Sequence, residues 1–269
     1  NAILKQKTDF KFEILIGDNN SNDDTKEKVE IYLKENTFKN TIKYYRHEKN
    51  IGAIKNYNFL VRKAKGKYFT LAGGHDLWSD NFLDELSKAL EKNENCVLAN
   101  AQTIWINNKG DVLERKSSHY STLGMNLYDR LRMTIKGNQH GMYGLIRLNA
   151  LRKTRLQLEI FGSGAILLSE LAILGEFIHL SNVKWFRRVN RKKETRTERV
   201  NRYLNVLYEN PKNKYFVHWR IPLEFIKAIL ISPTSNLAKV KLITLFPLII
   251  RVYFHLLIYD IKNIFVRQN

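Results

Sequence analysis

The chain has 269 residues, 44% of them hydrophobic, and carries a formal net charge of +19. That apolar content excludes whole-chain disorder, and the length accommodates one large α/β domain with an appendage, or two domains. The charge favours an anionic partner (nucleic acid, an acidic membrane surface or a phosphorylated substrate) without choosing among them.

Ala2 to Gln6 reads as the tail of a helix. Phe12-Glu-Ile-Leu-Ile16 is β-rich, and Gly17 to Asp24 is a dense loop signal. Asp23 or Asp24 caps a helix carrying Val29, Tyr32 and Leu33 on one side. Thr41 to Tyr45 is the next strand, followed by a helix from Ala53 to Lys65 with Gly66 in the place of a C-terminal glycine cap. Tyr68 to Ala72 is a buried strand, and Phe82, Leu83, Leu86 and Leu90 recur at helical spacing after Asp80. Such alternation argues for a parallel sheet with right-handed crossovers.

In such a sheet, ligands bind beyond the carboxyl ends of the strands. The strand at Tyr68 runs into Gly73 and Gly74, which permit close approach of a ligand, and then into His75 and Asp76. Asp76 offers a hard oxygen ligand where a divalent cation and a diphosphate could meet. The structural alternative is that Asp76, Ser79 or Asp80 caps the next helix. As a rim residue, Asp76 is expected to carry little packing.

Cys96 is the single cysteine, so no internal disulfide forms; its apolar run, Cys96-Val-Leu-Ala99, suits a buried inert thiol and a reducing cytoplasm. Gln102 to Leu113 reads as a hairpin around Gly110, and Ser117 to Gly124 as a polar, mobile loop. Asn126 to Lys136 is a short helix, Gly137 to Gly141 a glycine-bracketed loop, Gly164 to Gly175 an apolar helix, and Val183 to Phe186 a strand.

From Arg187 the chain is strongly basic, with few aromatics, which suits a solvated helix facing phosphate or membrane better than a single-strand stacking platform. In the tail, Leu242 to Ile250 and Val252 to Tyr259 are apolar but broken by Arg251, short of the ~18 residues of a spanning helix. With Lys239, Lys241, Lys262 and Arg267 alongside, an interfacial helix on an anionic leaflet competes with an ordinary docked helix.

Three stretches together resemble the family-2 nucleotide-sugar glycosyltransferases: Phe12 to Thr25, with its acidic, asparagine- and serine-rich loop; Asn50-Ile-Gly-Ala-Ile-Lys-Asn56, leading through Gly66 to Asp76; and Gly162 to Gly175 with Trp185-Phe-Arg-Arg188. The resemblance covers residues 1 to about 190. It implies a GT-A fold, Rossmann-like with a mainly parallel sheet flanked by helices, over 1–190, and a basic C-terminal helical extension over 191–269. It also implies that the family's first strand precedes Asn1.

The resemblance implies a nucleotide-sugar site at Asp18, Asn50, Gly52, Asn56, Gly74 and His75. It implies Asp76 as ligand of a divalent cation, manganese or magnesium. His75 departs from the pattern, since an acid is common there and histidine is a poor magnesium ligand. The family's base aspartate aligns with Gly164, and Glu170 lies about 240° further around that helix. Glu159 and His140 are the substitutes, so the base stays unassigned.

The activity implied is inverting transfer from a UDP-sugar to a cell-surface polysaccharide or lipid-linked glycan, at the cytoplasmic membrane face. The partners implied are the donor, the acceptor, an anionic membrane surface and a second copy of the chain. A degenerate member that binds without catalysis is the alternative. A nucleic-acid-binding protein would explain the charge but leave the acidic loops unexplained.

Overall fold

The structure, a computed structural model, describes residues 2–35, 41–189, 194–195, 198, 200, 202–203 and 216–267, with side chains to 262. Its first strands are β1 (Ile14–Asp18) and β2 (Ile42–Arg46), a parallel pair in which Asp18 lies opposite Arg46. The helix between them, α1 (Thr25–Glu35), starts where Asp23 Oδ1 accepts the Thr25 N–H at 3.1 Å, as the sequence predicts. After β2 comes α2 (Ala53–Lys63).

The expected glycine cap at Gly66 is not formed: α2 closes at Ala64, and Gly66 is not left-handed. The reason is a long-range partner. Arg152 donates to the carbonyls of Val61, Arg62 and Ala64, at 3.2, 3.1 and 2.6 Å, satisfying the helix end that a glycine turn would otherwise serve.

A five-stranded sheet forms the centre, in the order β3-β6-β5-β7-β4. Its strands are β3 (Tyr68–Phe69), β4 (Leu77–Trp78), β5 (Cys96–Ile106), β6 (Leu145–Arg147) and β7 (Glu176–Arg188). The expected third parallel strand is therefore corrected. Only Tyr68 and Phe69 enter a ladder, antiparallel to β6, and the chain from Thr70 leaves the sheet toward its rim. The long parallel pairing of β5 with β7 and the β1–β2 pair carry most of the paired residues, and the short flanking strands are antiparallel.

Since β5 and β7 run together, their carboxyl ends, Ile106 and Arg188, share one rim. The end of β3 and the start of β6 point the same way but lie level with Leu98 and Ala99, early in β5, because β6 runs against both strands there.

β5 is buried along almost its whole length, as a strand covered on both faces must be. One cover is α3 (Phe82–Lys92), whose Phe82, Leu83, Leu86 and Leu90 are all buried, with Trp78 stacked on Phe82 at 4.5 Å. The other includes α6 (Ser163–Leu174), apolar all round and buried from Ser163 to Ile173. Between them in sequence lie α4 (Leu127–Lys136), a 3-10 turn (His140–Tyr143) and α5 (Leu148–Arg152).

The C-terminal helices α7 (Arg220–Ile231), α8 (Asn236–Ile243) and α9 (Phe246–Arg267) close over α4 and α6. Ile221, Phe225, Leu242, Ile249 and Tyr253 share one hydrophobic cluster with Leu131 and Ile166. Arg155 ties the units further, pairing with Glu170 Oε1 at 2.5 Å and with Glu224 of α7. Glu170 thus faces away from the start of α6, as the helical spacing predicts.

Ser117 to Gly124 is a correction. The segment is docked on the sheet: Thr122 is fully buried and accepts the Phe177 N–H at 2.8 Å, and Ser117 accepts the Trp105 indole N–H at 2.5 Å. The expected basic helix also changes, because Arg187 and Arg188 end β7, while Arg191, Lys192, Lys193, Arg196 and Arg199 lie outside the described residues. Cys96 is fully buried, and burial pushes its thiol up to about 11, as expected of an inert cysteine.

Candidate functional site

The first group of predicted residues gathers at the carboxyl ends of β1 and β2. Asp18 is 4% exposed. Its carboxylate accepts the Tyr44 hydroxyl, the Ser21 N–H at 2.7 Å and Arg46 Nη1 at 3.1 Å. Burial alone would raise its pKa; the hydrogen bonds from Tyr44 and Ser21, then the Arg46 charge, outweigh it and hold the carboxyl at about 2.

Asn19 clamps the neighbouring loop. Its Oδ1 accepts the Ile51 N–H at 2.8 Å and its Nδ2 donates to Asn50 Oδ1 at 2.6 Å, while that same oxygen accepts the Gly52 N–H at 2.9 Å. Gly52 enters α2 with φ +85°, a left-handed conformation that explains the glycine. Asn56 donates to the Gly17 carbonyl at 2.7 Å, and its Oδ1 meets His47 Nε2 at 3.1 Å. A Cβ on Gly17 would collide with that amide. Asn50, Gly52 and Asn56 therefore shape a rigid cradle around Asp18, with Asn56 holding the cradle's backbone.

The second group lies where β5 and β7 end. Asp76 caps no helix. The α3 start is served by Gln6 instead, whose Oε1 accepts the Leu83 N–H at 3.0 Å. Asp76 Oδ2 accepts the Trp185 indole N–H at 3.2 Å and Oδ1 the Arg188 backbone N–H at 3.0 Å, leaving its side chain 4% exposed. Arg188 in turn donates to the carbonyls of His75, Asn107 and Asn108, at 3.0, 2.7 and 2.9 Å. Asp76 and Arg188 thus knot three segments at the rim, contrary to the expectation that Asp76 carries little packing. Gly74 and His75 are exposed beside it.

The donors present fit a manganese or magnesium ion poorly. His75 Nε2 is 3.7 Å from Asp76 Oδ1, and among the described residues no three His, Cys, Asp or Glu converge on a metal position. Each Asp76 oxygen already accepts one N–H donor, and histidine is not the partner a hard cation selects.

The base candidates separate. Glu159 sits at the surface, 3.4 Å from Lys55 Nζ, and has no contact with the Asp76 group. His140 lies at the rim, its Nδ1 3.0 Å from Thr103 Oγ1 and its ring edge-on to Trp105 and Trp185. Burial first, then the charges of Arg187, His119 and Arg115, push its pKa down to about 4, which leaves a feeble proton acceptor at neutral pH. Gly164, where the family base aligns, is filled from outside: a Cβ there would meet Met142 Sδ and, at 2.5 Å, Gln139 Oε1.

Two bonds between Asn58 of α2 and the backbone of Gln157, at 2.8 and 3.1 Å, connect the first group to the loop that leads into α6. Sequence reasoning passed over Tyr44, Arg46, Trp105 and Arg115, and gave Trp185 only as part of the family resemblance. Pairing of β2 with β1 makes Arg46 legible only once the register is known.

A sequence profile of Glycosyl transferase family 2 matches residues 1–155. An uncharacterized glycosyltransferase of Rickettsia conorii is 31% identical over 128 residues, covering 48% of this chain and 20% of that protein. Among solved structures, S. aureus TarS 1–349 in complex with UDP-GlcNAc aligns with a TM-score of 0.60 at 17% identity, over 95% of this chain and 67% of that one. GalNAc-T7 with UDP, GalNAc and Mn2+ aligns with a TM-score of 0.58 at 15% identity, over 89% of this chain and 49% of that one. The chain spans only a fifth of the curated relative's length, and the structural likeness shows the GT-A fold. With its profile matched over more than half of its length, the chain belongs to glycosyl transferase family 2.

Proposed function

We propose that this chain transfers a sugar, with inversion, from a UDP-sugar to a hydroxyl of a cell-surface polysaccharide or lipid-linked glycan. The observation that carries the reading is the cradle around Asp18, a buried, ionised carboxylate at a strand end framed by Asn19, Asn50 and Gly52. With its side chain fully buried and held by Tyr44, Ser21 and Arg46, that carboxylate fixes the loop that would receive a base or a ribose at the strand end. TarS has been solved with UDP and with UDP-GlcNAc, which supports UDP as the first donor nucleotide to test.

Calorimetric titration of UDP, with and without manganese, followed by release of UDP from UDP-sugars, tests it. Micromolar UDP binding that weakens in Asp18→Asn is expected; a parent chain indifferent to every nucleotide would end the reading. The filled space at Gly164 and the weak basicity of His140 favour a second reading, a degenerate binder. It predicts UDP binding without turnover of any UDP-sugar.

The same reading puts the protein at the cytoplasmic face of a membrane. Leu223, Leu230, Leu237 and Val240 are exposed on α7 and α8, near Lys227, Lys239 and Lys241. No single described helix is long and apolar enough to cross a membrane; α8 with α9 passes by length and composition as a pair bent by 42°. Leu237→Glu with Val240→Glu should abolish sedimentation with anionic vesicles. Undiminished sedimentation would remove the membrane from the proposal.

A further inference from the structure

Trp105, at the end of β5, carries two cations. The Arg115 guanidinium carbon lies 3.7 Å from its ring centroid and that of Arg187 lies 4.8 Å away. Arg187 also faces Tyr143 at 5.7 Å and Trp185 at 5.4 Å, an aromatic enclosure on several sides. Aromatic faces hold the flat of a guanidinium but leave its five N–H donors unserved.

Neither side chain makes a hydrogen bond or an ion pair among the described residues. The contrast is Arg188, one residue on, whose guanidinium is taken up by three carbonyls. Two like charges sharing one indole repel each other unless an anion joins them. The nearby carboxylate, Asp76, is spent on Trp185 and the Arg188 backbone. His140, edge-on to the same indole, is kept neutral by burial and by both arginines, so no negative group balances them from that side. All of this lies at the rim where β5 and β7 end, beside the exposed His75.

We propose that Arg115 and Arg187, seated on Trp105, bind a phosphate-bearing anion and neutralise it without a divalent cation. A guanidinium matches phosphate oxygens through paired N–H donors, which a lysine cannot reproduce. The source of the phosphate, donor diphosphate or a phosphorylated acceptor, rests on the glycosyltransferase reading; the anion site itself does not.

Calorimetry with inorganic pyrophosphate in EDTA tests the site on the whole chain. The parent binds, each Arg→Gln substitution costs roughly tenfold, and Arg115→Gln with Arg187→Gln roughly a hundredfold. Arg115 is exposed, so its variant folds as the parent does, and Arg187→Lys should keep the charge yet recover only part of the affinity. A parent that needs manganese to bind pyrophosphate, or a double variant that binds as the parent does, overturns the proposal. UDP and uridine assign the source. An equal loss for UDP with uridine unchanged identifies the donor diphosphate; unchanged UDP with pyrophosphate lost identifies the acceptor. Pyrophosphate bound by a chain that ignores UDP and uridine would uphold the anion site and defeat the nucleotide-sugar reading.

Discussion

Replacing Asp76 by asparagine distinguishes a metal ligand from a structural anchor. The buried carboxylate accepts two N–H donors, one from the Trp185 indole and one from the Arg188 backbone. An asparagine serves only one of them with its carbonyl and turns its own amide N–H toward the other. A lost charge-assisted bond and a stranded donor together cost about 2–4 kcal/mol. For a chain of this size that lowers the melting temperature by roughly 5–15 °C. Thermal unfolding followed by tryptophan fluorescence measures it, with UDP titration in parallel. An unchanged melting temperature together with loss of manganese-dependent UDP binding would refute the anchor and restore the metal role.

Asp18 supplies a pH test. Its folded pKa, about 2, lies below the ordinary 3.8, so its contribution is complete above pH 3.8 and is lost as pH falls through about 2. The shift corresponds to about 2 kcal/mol, and urea titrations at pH 6 and 2.5 should show Asp18→Asn with a flatter pH dependence than the parent. His119, stacked on His179 at 4.5 Å, and His140 are both pushed by burial down to about 4. These neutral histidines stabilise the fold fully above pH 6.5, and melting curves should fall steadily from there toward pH 4; a flat profile would contradict their burial. Arg155→Ala strands Glu170 and Glu224 and should cost about 3–5 kcal/mol in chemical denaturation, against little for the exposed Lys55→Ala.

Local chemistry made much of this protein legible in its sequence. Asp23 marks the start of α1, and the spacing of Phe82, Leu83, Leu86 and Leu90 marks the buried face of α3. The acidic loop after Phe12 and the glycines before Asp76 lie at strand ends, where ligands bind in this class of sheet. Each signal acts over a few residues, so periodicity and turn propensity suffice to read it.

The remainder was decided across the fold. Gly66 lost its capping role to Arg152, the strand at Tyr68 shortened because β6 pairs only two of its residues, and Ser117 to Gly124 docked because Phe177 offers a partner. Asp76 gained an anchoring role when β7 brought Trp185 and Arg188 against it. The same strand set Arg187 beside Trp105 and Arg115. Composition alone determined that the chain is basic and rich enough in apolar residues to fold; order and spacing determined its family. Which charges are neutralised, and which wait for an anion, depended on groups far apart in sequence. Only tertiary structure fixes those distances, because hydrogen bonds and ion pairs act over a few ångströms whatever the sequence separation.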